Sequence, residues 1–219
     1  MISLVQSASN AGASPTFPIP VTKGNLIVAL LGFNGSSSVL TSSLTDNATP
    51  STNVYQVASP INGNSALGEA TAIYYSWNIH GNTALTLSAT STAGFYQFDA
   101  AEFSGVQNTG NPLQTHNEAQ AASGTGYQNC CPVTTSVLGE LIISINDWSS
   151  GAMIPLAPWM AINPLVNMFV SADPNSYSFL STNHGSDAWT VNTAAFLPQN
   201  VAVSPEDMTP GTCVMWRKI

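Results

Sequence analysis

Positive charge is almost missing from this chain. Three basic side chains, Lys23, Arg217 and Lys218, stand against eleven carboxylates, a formal net charge of -8. A nucleic-acid surface needs several clustered Lys or Arg, because phosphate neutralisation supplies most of its affinity. DNA and RNA are therefore not expected as partners, and polybasic attachment to an anionic membrane is not expected either. Charge of either sign is scarce, at 6% of residues against 44% hydrophobic, so the surface has to be dressed with Ser, Thr, Asn, Gln and Gly.

Long apolar runs are missing too. The longest spans residues 26–31, well short of the roughly 20 residues that a membrane-spanning helix needs. The opening stretch, MISLVQSASNAGASP, carries neither a basic n-region nor an apolar h-region, so we expect a protein made without a secretory signal.

Cysteine is limited to Cys130, Cys131 and Cys213. None has the C-x-x-C spacing of a metal site, and a vicinal pair closes on itself only with strain. Two states stay open, buried free thiols or a bridge from Cys130 or Cys131 to Cys213. The histidines, His80, His116 and His184, show no ligand spacing, and no metal is expected. There is no G-x-S-x-G elbow, no G-x-G-x-x-G and no Walker-type loop. Without them a hydrolase triad lacks its anchor and a nucleotide its cradle, so the chain reads as having no cofactor and as not an enzyme. The nearest thing to a carboxylate pair is Asp99 and Glu102 in QFDAAEFSG. Residues three apart on a strand point to opposite faces, whereas glycoside hydrolysis sets two carboxyls about 5 to 10 Å apart across one cleft.

Helical periodicity is the last absence. What is present is period-2 alternation and short apolar runs, which predict strands over residues 2–7, 26–33, 53–58, 70–77, 84–89, 96–103, 133–135, 141–145, 168–171, 177–182, 188–196 and 212–217. Residues 104–129 read as a long crossover loop. The chain also repeats itself: Gly24-Asn25-Leu26-Ile27-Val28-Ala29-Leu30 aligns with Gly139-Glu140-Leu141-Ile142-Ile143-Ser144-Ile145. A second echo sets residues 77–87 beside 181–191, with turns at His80-Gly81 and His184-Gly185. Together these predict an all-β, jelly-roll-like two-sheet β-sandwich with two similar halves and little helix. Residues 21–219 are expected to form this single domain, behind an N-terminal arm of residues 1–20 that packs in a strand or on a neighbour.

Of the five tryptophans, Trp77, Trp189 and Trp216 fall in predicted strands, where large aromatics fill cores. Trp148 and Trp159 lie in DWSSGAMIPLAPWMAINP and are the candidate binding residues, for a glycan or a protein contact, with core packing under that loop as the alternative.

The segments GNLIVALLGF, ATAIYYSWNI, GNTALTLSAT, FDAAEFSGV and GELIISIND together resemble the jelly-roll-like β-sandwich domains of phage structural (virion) proteins and of modular secreted bacterial proteins. The resemblance implies a virion or extracellular structural role and carries over no catalytic residue. It leads us to expect a bacteriophage virion accessory protein, foremost a capsid decoration or cement protein acting as a homo-oligomer on other capsid or tail subunits. The alternatives are a tail or receptor-binding protein, and a carbohydrate-binding module or adhesin that touches a surface glycan.

Overall fold

Leu26 to Phe33 are at most 1% exposed wherever the side chain is apolar, odd and even positions alike. A strand wetted on one face cannot do that, so layers must cover both sides of it. The computed structural model, which describes residues 1–11, 14–35, 42–49, 52–81, 84–122, 130–148, 155–163, 165–180 and 188–199, supplies those layers.

The first copy of the repeat forms β2 (Leu26–Asn34) at the centre of a five-stranded sheet, in the order β1 (Ser3–Asn10), β7 (Phe95–Ser104), β2, β5 (Glu69–Ser76), β4 (Gln56–Asn64). The second copy forms β10 (Leu141–Trp148) at the centre of another, in the order β11 (Met160–Ala161), β12 (Val166–Val170), β10, β14 (Trp189–Phe196), β8 (Leu113–Ala121). Leu26, Val28 and Leu30 meet Leu141, Ile143 and Ile145 in the core between the sheets, with Tyr75, Phe103, Met168 and Phe196 filling around them. The intervening Ile27, Ala29 and Leu31 face an outer layer of β3 (Ser42–Asp46) and β6 (Leu87–Ser91), through Phe17, Leu44, Leu85 and Leu87. On the far side Ile142 packs under β9 (Cys130–Thr134) and β13 (Ser176–Phe179). The expected all-β sandwich with two similar halves is the observed architecture, with an outer layer added on each side. No helix occurs among the described residues.

The duplication extends beyond the repeated strands. Gly24 (φ +89°) and Gly139 (φ +83°) open them in the left-handed region that glycine adopts without strain. Gly24 N donates to Ile79 O and Ile79 N to Asn25 O, at 3.0 and 3.3 Å; Gly139 N donates to Ser171 O and Ser171 N to Glu140 O, both at 2.9 Å. Phe103 sits opposite Leu26, and Phe196 opposite Leu141. Residues 15–17, which pair with the segment leading into β6, hold the place in the first half that β9, paired with β13, holds in the second.

The halves are joined along one side by amides. Asn62 Nδ2 donates to Ala119 O and Val191 O at 2.8 and 3.2 Å, and Asn64 Nδ2 to Ala121 O and Trp189 O at 2.7 Å each. Asn192 answers from β14, donating to Ser59 Oγ and Pro60 O at 2.7 and 2.8 Å. Edge strand β4 thus lies against β8 and β14 of the facing sheet, and the Asn62, Asn64 and Asn192 amides are all partnered there.

Residues 1–20 take the first of the two placements expected for them, packing in a strand: Ser3–Asn10 is a strand of the first sheet and Phe17 is 1% exposed in its core. Two expectations are corrected. Residues 104–129 are not one loop, since they contain β8, whose polar sequence LQTHNEAQA hides a strand that borders β14. The short strand β3 was not predicted at all. The second echo is no structural correspondence, because Leu87 opens a strand of an outer layer whereas Val191 belongs to a central sheet. Its turn at His184-Gly185, like the predicted strand 212–217 with Trp216, lies outside the described residues.

Candidate functional site

Trp159 takes the packing alternative expected for its loop. Its indole is 5% exposed, packed edge-on against Phe169 and Phe179 with ring centroids 4.8 and 5.1 Å away, and its Nε1–H donates to Ser178 O at 3.1 Å. No ring face remains for a sugar to stack on. Trp148 closes β10 with its backbone opposite Trp189; its side chain lies outside the described residues.

Asp99 and Glu102 point to opposite faces of β7, as their spacing predicts. Glu102 is fully buried on the outer face, where it accepts from Thr22 N at 2.7 Å, Asn25 Nδ2 at 2.6 Å and Gln6 Nε2 at 2.6 Å, binding β1 and the approach to β2 onto β7. Asp99, opposite Leu30, faces the second sheet. His116 Nδ1 lies 3.1 Å from Glu118 on the face of β8 turned toward β4, where Ser59 Oγ also donates to Glu118, and His80 N is bound by Asn53 Oδ1 at 2.7 Å beyond the start of β2. No group of three or more His, Cys, Asp or Glu among the described residues could hold a metal ion.

Cys130 and Cys131 are both free and both buried. Neighbours on a regular strand face opposite ways. Here the pairing slips between Tyr177 and Phe179, and Cys131 adopts φ +53°, so both sulfurs turn into one core. The hydrogen bond from Cys130, then burial, pushes the Cys131 thiol far above the ordinary thiol range.

Two features mark opposite ends of the sandwich. At the end where β2 and β10 finish, Asp147 projects between the sheets in the position along β10 that Gly32 holds along β2. Tyr96 lies across Gly32 so closely that a β-carbon there would stand 2.3 Å from its Cζ. The phenol crosses to the other half and donates to Asp147 Oδ2 at 2.7 Å. Glu69, at the start of β5, shares a hydrogen bond with the same carboxylate. Burial first, then that bond and the Asp147 charge, push the Glu69 carboxyl up to about 8 from 4.5. Burial also lifts the Asp99 carboxyl, while bonds from Ser9, Gln97 and Asn163 pull it part of the way back. The Tyr96 hydroxyl is raised well above 10 by burial and by the charges of Asp147, Glu69 and Asp99.

At the opposite end, about 27 Å away along β10 at the usual rise per strand residue, is a cleft of 690 Å³ lined by Met1, Ile2, Leu138, Val170, Pro198 and their neighbours. Met1 is fully exposed and Leu138 is 69% exposed. The backbone of Met1 is laid against Gly105, where a β-carbon would stand 2.3 Å from Met1 O. Neither end was legible as a site in the sequence. The one local signal was Gly32, a glycine inside an apolar strand, which marks a close approach by another group.

Comparison with protein-family models, with curated proteins and with solved structures finds no match to this chain.

Proposed function

We propose that this chain is a structural accessory subunit of a bacteriophage particle, a capsid decoration protein that works as an oligomer, docks by its apolar end and carries out no reaction. The observation that supports this reading is the 690 Å³ cleft with exposed Leu138 and Met1 at its rim. Such a cleft suits an apolar side chain of a capsid subunit, and the weakly charged surface around it holds few long flexible side chains that would lose entropy on being covered.

Immunogold labelling and fractionation of particles test the proposal. Label on heads supports a decoration protein, and label on tails transfers the role to a tail or receptor-contacting protein. A particle-free monomer that binds soluble glycans overturns both. Leu138→Glu should release the protein from particles without changing its Tm.

A further inference from the structure

We propose that the outer face of the second sheet encloses a water-binding site, in which ordered water bridges the carboxamides of Asn146 and Asn167. The proposal is independent of the virion reading. Asn146 on β10 and Asn167 on β12 are both 0% exposed, and none of their four side-chain nitrogen and oxygen atoms has a hydrogen-bond partner in the protein. A buried amide in that state carries the full cost of losing its solvent. Native folds leave few such groups unmatched.

The internal repeat supplies a control. In the register of the paired strands, Ser144, Asn146, Asn167 and Thr193 of the second half hold the places of Ala29, Leu31, Tyr74 and Ala100 in the first. The first-half residues belong to the apolar cluster beneath β3 and β6. Their polar counterparts are just as deeply buried. The fold therefore accepts a dry layer at these places, and the second half carries a polar one.

The hydroxyls of that layer are matched: Thr193 Oγ1 donates to Ser144 Oγ at 3.3 Å, and Ser144 Oγ donates to Asn192 O at 3.0 Å. The two carboxamides are what remain. Asn167 lies opposite Ser144, and Asn146 N donates to Leu165 O, so the amides are diagonal neighbours on one face of the sheet. Diagonal neighbours stand about 7–8 Å apart. Beside them, Val191 opposite Asn146 and Ala161 opposite Asn167 offer no side-chain partner. Each carboxamide has both donors and an acceptor. A cation would satisfy only the oxygens and an anion only the nitrogens, whereas water serves both. A buried water makes about three hydrogen bonds to groups of this kind.

Water-selective NMR on the full chain is the test. The side-chain amide protons of Asn146 and Asn167, assigned in the wild type from triple-resonance spectra, should show cross-relaxation with long-lived water, which rotating-frame spectra separate from chemical exchange. A cross-peak between the two amides with none to water overturns the proposal, because the side chains would then bond each other. Native mass spectrometry of protein refolded from denaturant should give the mass of the bare chain; a retained organic compound overturns water as the occupant. Asn146→Leu writes the first half's residue into the second and should abolish the water signal at Asn167. An unchanged signal at Asn167 overturns the bridge. Should that variant fail to fold, the wild-type spectra decide by themselves.

Discussion

Tyr96 reaches Asp147 by lying over Gly32, and Gly32 and Asp147 hold equivalent places in the two copies of the repeated strand. One half gives up its side chain at this place and the other half keeps a carboxylate. The internal symmetry is broken where the halves exchange a hydrogen bond, so Gly32→Ala must expel the Tyr96 ring. We expect a loss of about 1–3 kcal/mol, the usual cost of overpacking, in denaturant unfolding. Adding Tyr96→Leu should recover part of it, and a double-mutant cycle measures how much.

Glu102→Ala removes the acceptor for three donors at once, Thr22 N, Asn25 Nδ2 and Gln6 Nε2. Buried donors left unmatched cost about 1–3 kcal/mol each, so the variant should lose about 3 kcal/mol or more. Glu102→Gln keeps one oxygen and should lose less. Chemical denaturation of both variants checks the order.

Deleting residues 1–18 should unfold the first half rather than trim a free arm, because it takes away β1 and Phe17 together. Phe17→Ala alone should cost about 3–5 kcal/mol, as for other fully buried aromatics. Circular dichroism and thermal melts of the truncated and point variants distinguish an unfolded chain from a shortened one.

Trp159→Ala should likewise cost about 3–5 kcal/mol through the hole it leaves between Phe169 and Phe179. Any loss of ligand binding in this variant should track the loss of folded protein. Trp159→Phe, which retains much of the volume, should restore most of the stability in the same melt.

In a Cys213→Ser background, Cys130 and Cys131 should be silent to an aromatic disulfide reagent at pH 8 and both react once the chain is denatured. Buried, and in the case of Cys131 raised far above the ordinary thiol range, they present almost no thiolate. Rapid labelling of the native protein would refute the packing described for β9.

Where a strand is buried on both faces it announces itself. Leu26 to Leu31 and Leu141 to Ile145 are legible because continuous apolar runs suit no other place in an all-β chain. The polar strand β8 is not legible, since its status comes from the backbone of β14 beside it and not from its own side chains. Trp159 looked exposed because prolines and serines surround it, yet an indole with Phe169 and Phe179 within reach is drawn into the core. The carboxyl pair lay furthest out of sight. Glu69, Tyr96 and Asp147 are distant in sequence, and only the stacking of one half on the other turns three scattered polar residues into one cluster.

The amides of Asn62, Asn64 and Asn192 stitch β4 to β8 and β14 along one long side of the sandwich. No such row joins β1 to β11 on the other side among the described residues. The two sheets are therefore bound most densely along one edge, like the leaves of a book along its spine, while near the fore-edge the bond between Asp99 and Asn163 is the tie that holds them shut. Spin labels on β4 and β8 should stay in register, and labels on β1 and β11 should part further once Asp99→Ala removes that tie.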